Sequence, residues 1–322
     1  MGLRYGSRSR PGTMVSTWLN GLVSGTVLPP GAAYWSGDAT TNTIDKTSFL
    51  DDASSVLSTT FSGGRSYMSA ASNGGVAAYF AGGTAVLGGG DGYNVIWKMP
   101  FDTESVATIT PTLSSTASQG AGCANSGTAA YWSLGRESPD GGVASDTIDK
   151  TLFADDATAA ITATLSVAIR RQGAYANSGT AGYWCHDSTI IDKTLFSNDS
   201  TSALAATLSN SVTYRGGLAN SGTAGYTAYG YANTDVINKL AFASDANAAI
   251  TPTLSSARWG GGAAAKSGTA GYWAGGSTSG SSSGGTTAID KTAFTDDATA
   301  AITPVLAVGK AEMCGTADSG TL

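Results

Sequence analysis

The stretch ANSGTAAYW at 124–132 returns as ANSGTAGYW at 176–184, ANSGTAGYT at 219–227 and KSGTAGYW at 266–273. Weaker copies are GAAYW at 31–35 and GVAAYF at 75–80. A second phrase follows each: TIDKTSF at 43–49, VIWKMPF at 95–101, TIDKTLF at 147–153, IIDKTLF at 190–196, VINKLAF at 236–242 and AIDKTAF at 288–294. Six copies of each phrase alternate strictly, which is the signature of a repeat architecture.

The spacing separates scaffold from variable parts. From the isoleucine of the second phrase (Ile44, Ile96, Ile148, Ile191, Ile237) to the next repeat tyrosine (Tyr79, Tyr131, Tyr183, Tyr226, Tyr272) the distance is always 35 residues. From each tyrosine to the isoleucine of its own repeat it is 10, 17, 17, 8, 11 and 17 residues. All length variation falls in one connection.

Short runs rich in Ile, Phe, Tyr, Trp and Thr, bounded by Gly, Asn, Ser and Asp, predict strands. Each repeat holds four: a around GGxANSGT, b at AGYW, c at IDKTxF and d at ITPTLS. NSGT is a tight a–b turn. The ADDAT type of c–d turn suits Asp and Thr side chains that bond their own backbone. In strand c, Ile148 and Phe153 have opposite parity, so both faces of the sheet are apolar and must be covered.

The C-terminus, Asp318-Ser319-Gly320-Thr321-Leu322, stops where the next tyrosine would arrive, and repeat one begins at Ala32-Ala33-Tyr34. The last segment therefore serves as strand a for the sheet whose other strands come from 31–62, which removes two free sheet edges. LVSGTV at 22–27 competes for that place. The expected fold is all-β: a six-bladed β-propeller over 31–322, four antiparallel strands per blade, its ring closed by the C-terminal strand, with an N-terminal arm at 1–30.

The order of small-residue strand, aromatic strand ending in Gly-Gly, variable loop and Asp-rich turn resembles the kelch repeat over about 290 of the 322 residues. Paired glycines survive as Gly82-Gly83 and Gly275-Gly276, while Ile or Leu replaces the tryptophan of kelch strand d. The wording NSGTAGYW, IDK and DDATAAIT is similar to kelch-like repeats in structural proteins of tailed bacteriophages, including those of cyanobacteria. That resemblance implies a virion protein of tail-fibre or adhesin type, assembled in the host cytoplasm. It also implies an oligomeric setting, with other virion subunits and a host-surface glycan or protein as partners.

Composition narrows the classes. Charged residues are 12% and the net charge is −6, which disfavours nucleic acid. Cys123, Cys185 and Cys314 are too scattered for a disulfide framework or a zinc site. Residues 11–27 are too polar for a signal-peptide core, Gly6 breaks a myristoylation pattern, and no window approaches 18 apolar residues, so neither export nor membrane insertion is expected.

Little in the sequence suggests catalysis, and no cofactor or metal is expected. The single histidine, His186, reads as decoration of a short exposed loop. The copper site of galactose-oxidase-like kelch enzymes needs two histidines, and no Asp-box of sialidase type is present. Asp51-Asp52, Asp155-Asp156 and Asp296-Asp297 recur at one phase and read as turn devices. The IDK aspartate becomes Trp97 and Asn238 in two repeats. Lys46, Lys98, Lys150, Lys193, Lys239 and Lys291 occur in all six, with stems on apolar surface and ammonium groups aimed at carbonyls or a neighbouring blade's acid. Arg65, Arg215 and Arg258 have near-equivalent positions and read as scaffold.

Function is expected in the variable b–c loops, all on one face. Their candidate ligand-binding residues are Asp91, Tyr93, Arg136, Glu137, Asp140, Asp187, Tyr229 and Tyr231. Arg4, Arg8, Arg10, Trp18 and Leu22 suit an attachment arm. The expectation is a non-enzymatic receptor-binding protein. The alternatives are a polysaccharide hydrolase or lyase using Glu137 and Asp140, and a purely architectural connector.

Overall fold

A computed structural model describes residues 31–38, 40–85, 91–138, 142–231, 234–282 and 284–319, which form six four-stranded antiparallel sheets and one smaller three-stranded sheet. One repeat illustrates all. Ala129–Ser133 (strand b) pairs with Ala121–Asn125 (strand a) on one side and with Ile148–Leu152 (strand c) on the other. Thr158–Ala160 (strand d) lies outermost against strand c. In the first sheet strand a comes from the other end of the chain, with Cys314–Ala317 pairing to Ala32–Ser36. The C-terminal segment thus joins the first sheet, as its phase predicts, while LVSGTV lies outside the described residues.

The outermost strand is displaced from its expected place. It falls on the residues before ITPTLS, such as Thr158–Ala160 and Ala246–Ala249. The ITxxLS segment is an exit strap instead. Its Ile161 N–H donates to the Ile148 carbonyl and its Leu165 N–H to the Asp146 carbonyl, and Leu165 is buried. Proline inside this segment, as at Pro252, has no N–H for a ladder, so the strap is anchored by its apolar side chains.

Strand a of each sheet packs on strand a of the next: Ser66–Asn73, Ala121–Asn125, Gly173–Asn177, Gly216–Asn220, Gly262–Lys266, Cys314–Ala317 and back to Ser66–Asn73. The closed cycle is propeller-like. Between sheets lie mixed apolar layers; Cys123, Tyr131, Ile148 and Leu165 of one repeat meet Ala174, Trp184 and Phe196 of the next. The approach is close enough that a Cβ on Gly182 would come within 2.6 Å of Cys123 Sγ. The three cysteines are buried and free, and burial pushes the Cys185 and Cys314 thiols up to about 12.

Each repeat is clamped to the next by the same three side chains. The repeat tyrosine and the IDK lysine are cross-strand partners, as in Tyr131 opposite Lys150. Lys150 Nζ lies 5.2 Å from the Tyr131 ring centroid. Both groups donate to one carboxylate of the next sheet's c–d turn, Tyr131 Oη at 2.6 Å and Lys150 Nζ at 2.8 Å from Asp199. Glu104, Asp156, Asp245, Asp297 and Asp52 receive the other five pairs; Asp52 of the first sheet takes Tyr272 and Lys291 of the last. All six acids have positive φ, from 50 to 61°, where Asp is tolerated better than most residues. The lysine reading is borne out. The doubled acids divide their work: Asp155 accepts the Ala157 N–H within the turn, and Asp156 reaches across to the preceding sheet.

The NSGT turn is a latch as well. Ser126 N–H donates to Ser178 Oγ (3.1 Å), and Gly179 N–H donates to Asn125 Oδ1 (2.9 Å). Ser178, Ser221 and Asn177 repeat the exchange one sheet further on. Gly127, Gly179, Gly222 and Gly268 all turn through φ of 78 to 81°, which glycine adopts without steric cost.

Candidate ligand-binding site

At the end of the channel away from the NSGT turns, each strand a is entered through one equivalent position: Tyr67, Gln119, Arg171, Tyr214, Gly260 and Glu312. All six have positive φ, between 57 and 66°. Their backbones close a ring about the axis. Gln119 N–H donates to the Tyr67 carbonyl, Arg171 to Gln119, Tyr214 to Arg171 and Gly260 to Tyr214. Met313 N–H donates to Gly260, and Tyr67 N–H to Glu312. Such a backbone suits glycine, and a side chain there costs roughly 1–2 kcal/mol. Five of the six positions nevertheless carry large polar or aromatic side chains.

Those side chains meet over the channel. Tyr67 and Tyr214, from sheets half a turn apart in the cycle, stack with ring centroids 5.6 Å apart. The Tyr67 hydroxyl donates to Glu312, and Ser282 Oγ donates to the same carboxylate. Burial and the Glu312 carboxylate hold the Tyr67 phenol far above its usual range, so it remains a neutral donor. The Arg171 guanidinium lies over Tyr214 at 4.8 Å. Beside Tyr214 stand Trp259 at 4.9 Å and Tyr231 at 6.1 Å. Gln119 is 3% exposed, yet its Oε1 accepts no hydrogen bond among the described residues, and Arg171 Nε donates none. Below them the channel encloses about 90 Å³.

The b–c loops emerge at this end. Bridges join Asp38 to Arg65, Tyr93 to Ala117, Ser145 to Ile169, Thr234 to Arg258 and Thr286 to Lys310, each two residues before a ring position. Several loop candidates therefore approach the axis. Arg136–Ser138 is a strand, not an irregular loop; it pairs with Thr116–Ser118 and Val143–Ala144 in a three-stranded sheet. This sets Arg136 opposite Ser118 and Glu137 opposite Ala117, the two residues that precede Gln119 in the chain. Arg136 Nε donates to the Gly142 carbonyl and Glu137 accepts from Ser145 Oγ at 2.5 Å. Tyr231 is 47% exposed. Tyr93 is half-buried under the Arg65 guanidinium at 4.0 Å, Asp91 is exposed and Asp187 half-buried.

Two expectations need correction. Tyr229 is not a surface residue: it is fully buried, its hydroxyl donating to the Gly262 and Ala274 carbonyls and its ring edge-on to Trp273. His186 does not decorate an exposed loop either; it is 0% exposed and its Nε2 lies 3.0 Å from Asp192 Oδ2. The reason is the buried IDK aspartate, which accepts the N–H of the preceding repeat's exit strap, as Asp192 does from Ser166. That carboxylate takes a basic side chain where one is supplied: Arg258 on Asp290, Lys310 on Asp45 and His186 on Asp192. In the second repeat Trp97 replaces the aspartate and Arg65 lies over its ring at 5.8 Å. The scaffold reading of the arginines holds. Asp140 and the arm residues Arg4, Arg8, Arg10, Trp18 and Leu22 lie outside the described residues.

The axial ring was missed in the sequence. Its only trace is that the letter seven places before the second residue of each turn reads Tyr, Gln, Arg, Tyr, Gly and Glu while its surroundings repeat. Among the described residues no three His, Cys, Asp or Glu side chains converge as a metal site, and no helix is long and apolar enough to cross a membrane.

An all-β chain of repeated four-stranded sheets in a closed cycle, with side chains gathered at the axis, has a propeller-like fold. The structure is similar to that of YjhT, a kelch-repeat β-propeller protein, with a TM-score of 0.64 and 13% identity, covering 86% of this chain and 98% of that one. At that identity the likeness concerns the fold alone. No family model matches the sequence, and no curated protein matches it.

Proposed function

We propose that this chain is a six-bladed kelch-like propeller, and a non-enzymatic virion protein of tail-fibre or adhesin type that binds a host-surface receptor with its b–c face. Residues 1–30 attach it to other virion subunits in an oligomeric assembly built in the host cytoplasm. The observation that carries the reading is a contrast between two sets of equivalent positions. The six clamp positions hold an acid every time, whereas the six axial positions hold five different residue types on one backbone. Uniform chemistry maintains a scaffold; varied chemistry on a rigid scaffold is what recognition requires. Glu137, one of the two loop acids a hydrolase would use, is engaged by Ser145 Oγ within its own loop, which favours binding over two-carboxylate hydrolysis.

The test adds purified full-length chain to a panel of bacterial cells, cyanobacteria included, and labels intact particles with antibody to the chain. Saturable adsorption to one host that blocks particle attachment, with label on the outer tail, is the expected result. Label confined to an internal shell, with no adsorption to any host, selects the architectural connector instead.

A further inference from the structure

We infer that the axial mouth is a binding site for an uncharged saccharide residue, one polar substituent entering the channel while the sugar ring rests on the exposed tyrosine at its rim. The inference rests on the recognition reading above and assigns its site and ligand class. Three independent features lead there.

The first is backbone. Among the described residues twelve non-glycine positions have positive φ: six are the clamp acids, five belong to the axial ring and the last is Tyr229. The clamp acids account for their conformation by their contacts. Tyr67, Gln119, Arg171, Tyr214 and Glu312 hold different chemistry in the same conformation, although Gly260 shows that the ring closes without a side chain. Strain kept at five such positions marks a function that the fold does not need.

The second is unmet hydrogen bonding. Among the described residues, Gln119 Oε1 is a buried acceptor without a donor and Arg171 Nε a buried donor without an acceptor. Groups of this kind are filled by ordered water or by a ligand. A hydroxyl both donates and accepts, so one sugar substituent, or two neighbouring ones, satisfies the pair.

The third is shape and charge. About 90 Å³ admits a substituent or a few waters rather than a whole hexose, so the ring must stay at the mouth, where Tyr231 is 47% exposed beside Trp259. Aromatic faces of this kind take the apolar face of a sugar. Arg171 and Glu312 stand three positions apart in the ring of six, so an anion drawn to one meets the other. That balance favours an uncharged ligand.

The experiment titrates purified full-length chain with galactose, glucose and N-acetylglucosamine, with galacturonic acid as the charged comparator, read by saturation-transfer NMR. Binding of at least one neutral sugar is expected, weakened tenfold or more in Tyr231→Ala and in Arg171→Gly. Leu50→Ser, 74% exposed on a c–d turn remote from the b–c loops, should leave it unchanged. The inference is overturned by failure of every neutral sugar, by preference for galacturonic acid, or by undiminished binding in both variants. If the chain still adsorbs to host cells in any of those cases, the receptor reading survives while its placement at the axis does not.

Discussion

Lys150 of the third repeat and Asp199 of the fourth form an ion pair of 2.8 Å beneath the Tyr131 ring, and the same pairing recurs around the ring until Lys291 meets Asp52. Six copies of one contact join sheets that share no backbone ladder. The closure therefore rests on side chains as well as on the strand lent by the C-terminus.

Asp199→Asn should remove one clamp while sparing the turn. The lysine and the tyrosine both lose a charge-assisted acceptor, and the site is about a quarter exposed, so the expected cost is ~1–2 kcal/mol, a fall in Tm of a few degrees. A double-mutant cycle with Lys150→Met should recover a coupling energy of about 1 kcal/mol in urea titrations. Additive losses with no coupling would deny the clamp.

Asp149→Asn should stabilise the protein at neutral pH. Asp149 accepts from Ser114 N–H and Oγ but has no cation beside it among the described residues, and burial holds its carboxyl above the usual range. The native state then binds the proton more tightly than the unfolded chain. The wild-type carboxyl thus favours folding below its unfolded pKa and loses that contribution as pH rises through the folded value. Asn238 already serves the equivalent strap. The gain of the variant should vanish as the pH falls below the carboxylate range, which urea unfolding at several pH values would follow.

His186→Ala should act in the opposite sense. Burial alone would raise Asp192, but His186 and the Ser166 N–H and hydroxyl outweigh it and hold the carboxyl below its usual value. Its contribution is therefore present above the unfolded pKa and lost as pH falls through the folded one. Removing the imidazole leaves a buried carboxylate without its partner, at a cost of about 2–4 kcal/mol near neutrality. A loss well under 1 kcal/mol in chemical denaturation would show that His186 only fills space.

Arg171→Gly should raise stability by about 1 kcal/mol, because a left-handed backbone is relieved without disturbing the hydrogen-bonded ring. Calorimetry would measure a Tm higher by a few degrees. A fall of similar size would mean that the Arg171 contact with Tyr214 outweighs the strain.

How much of this was legible follows from what repeats. The clamp lysines and acids recur at fixed spacing in every copy, so sheet order, closure and the neighbour-directed lysine could be read directly. Trp132 and Thr151 illustrate a finer rule: the indole N–H donates to the threonine, and where Phe80 replaces the tryptophan, Met99 replaces the threonine. The outer strand was misplaced because Ile161 and Leu165 are apolar for anchoring a strap, not for alternating in a ladder. His186 and Tyr229 were misjudged because loop membership in sequence says nothing of burial between sheets. The axial ring lies where the repeat is weakest, and five residue types at six equivalent positions give no motif to find.

The most direct test compares adsorption of wild type, Arg171→Gly and Asp199→Asn to the same host cells, well below the melting temperature of all three. The account predicts that Asp199→Asn, though less stable, binds as wild type does, while Arg171→Gly, folded and at least as stable, loses tenfold or more. Equal binding by Arg171→Gly, or loss confined to Asp199→Asn, would contradict it.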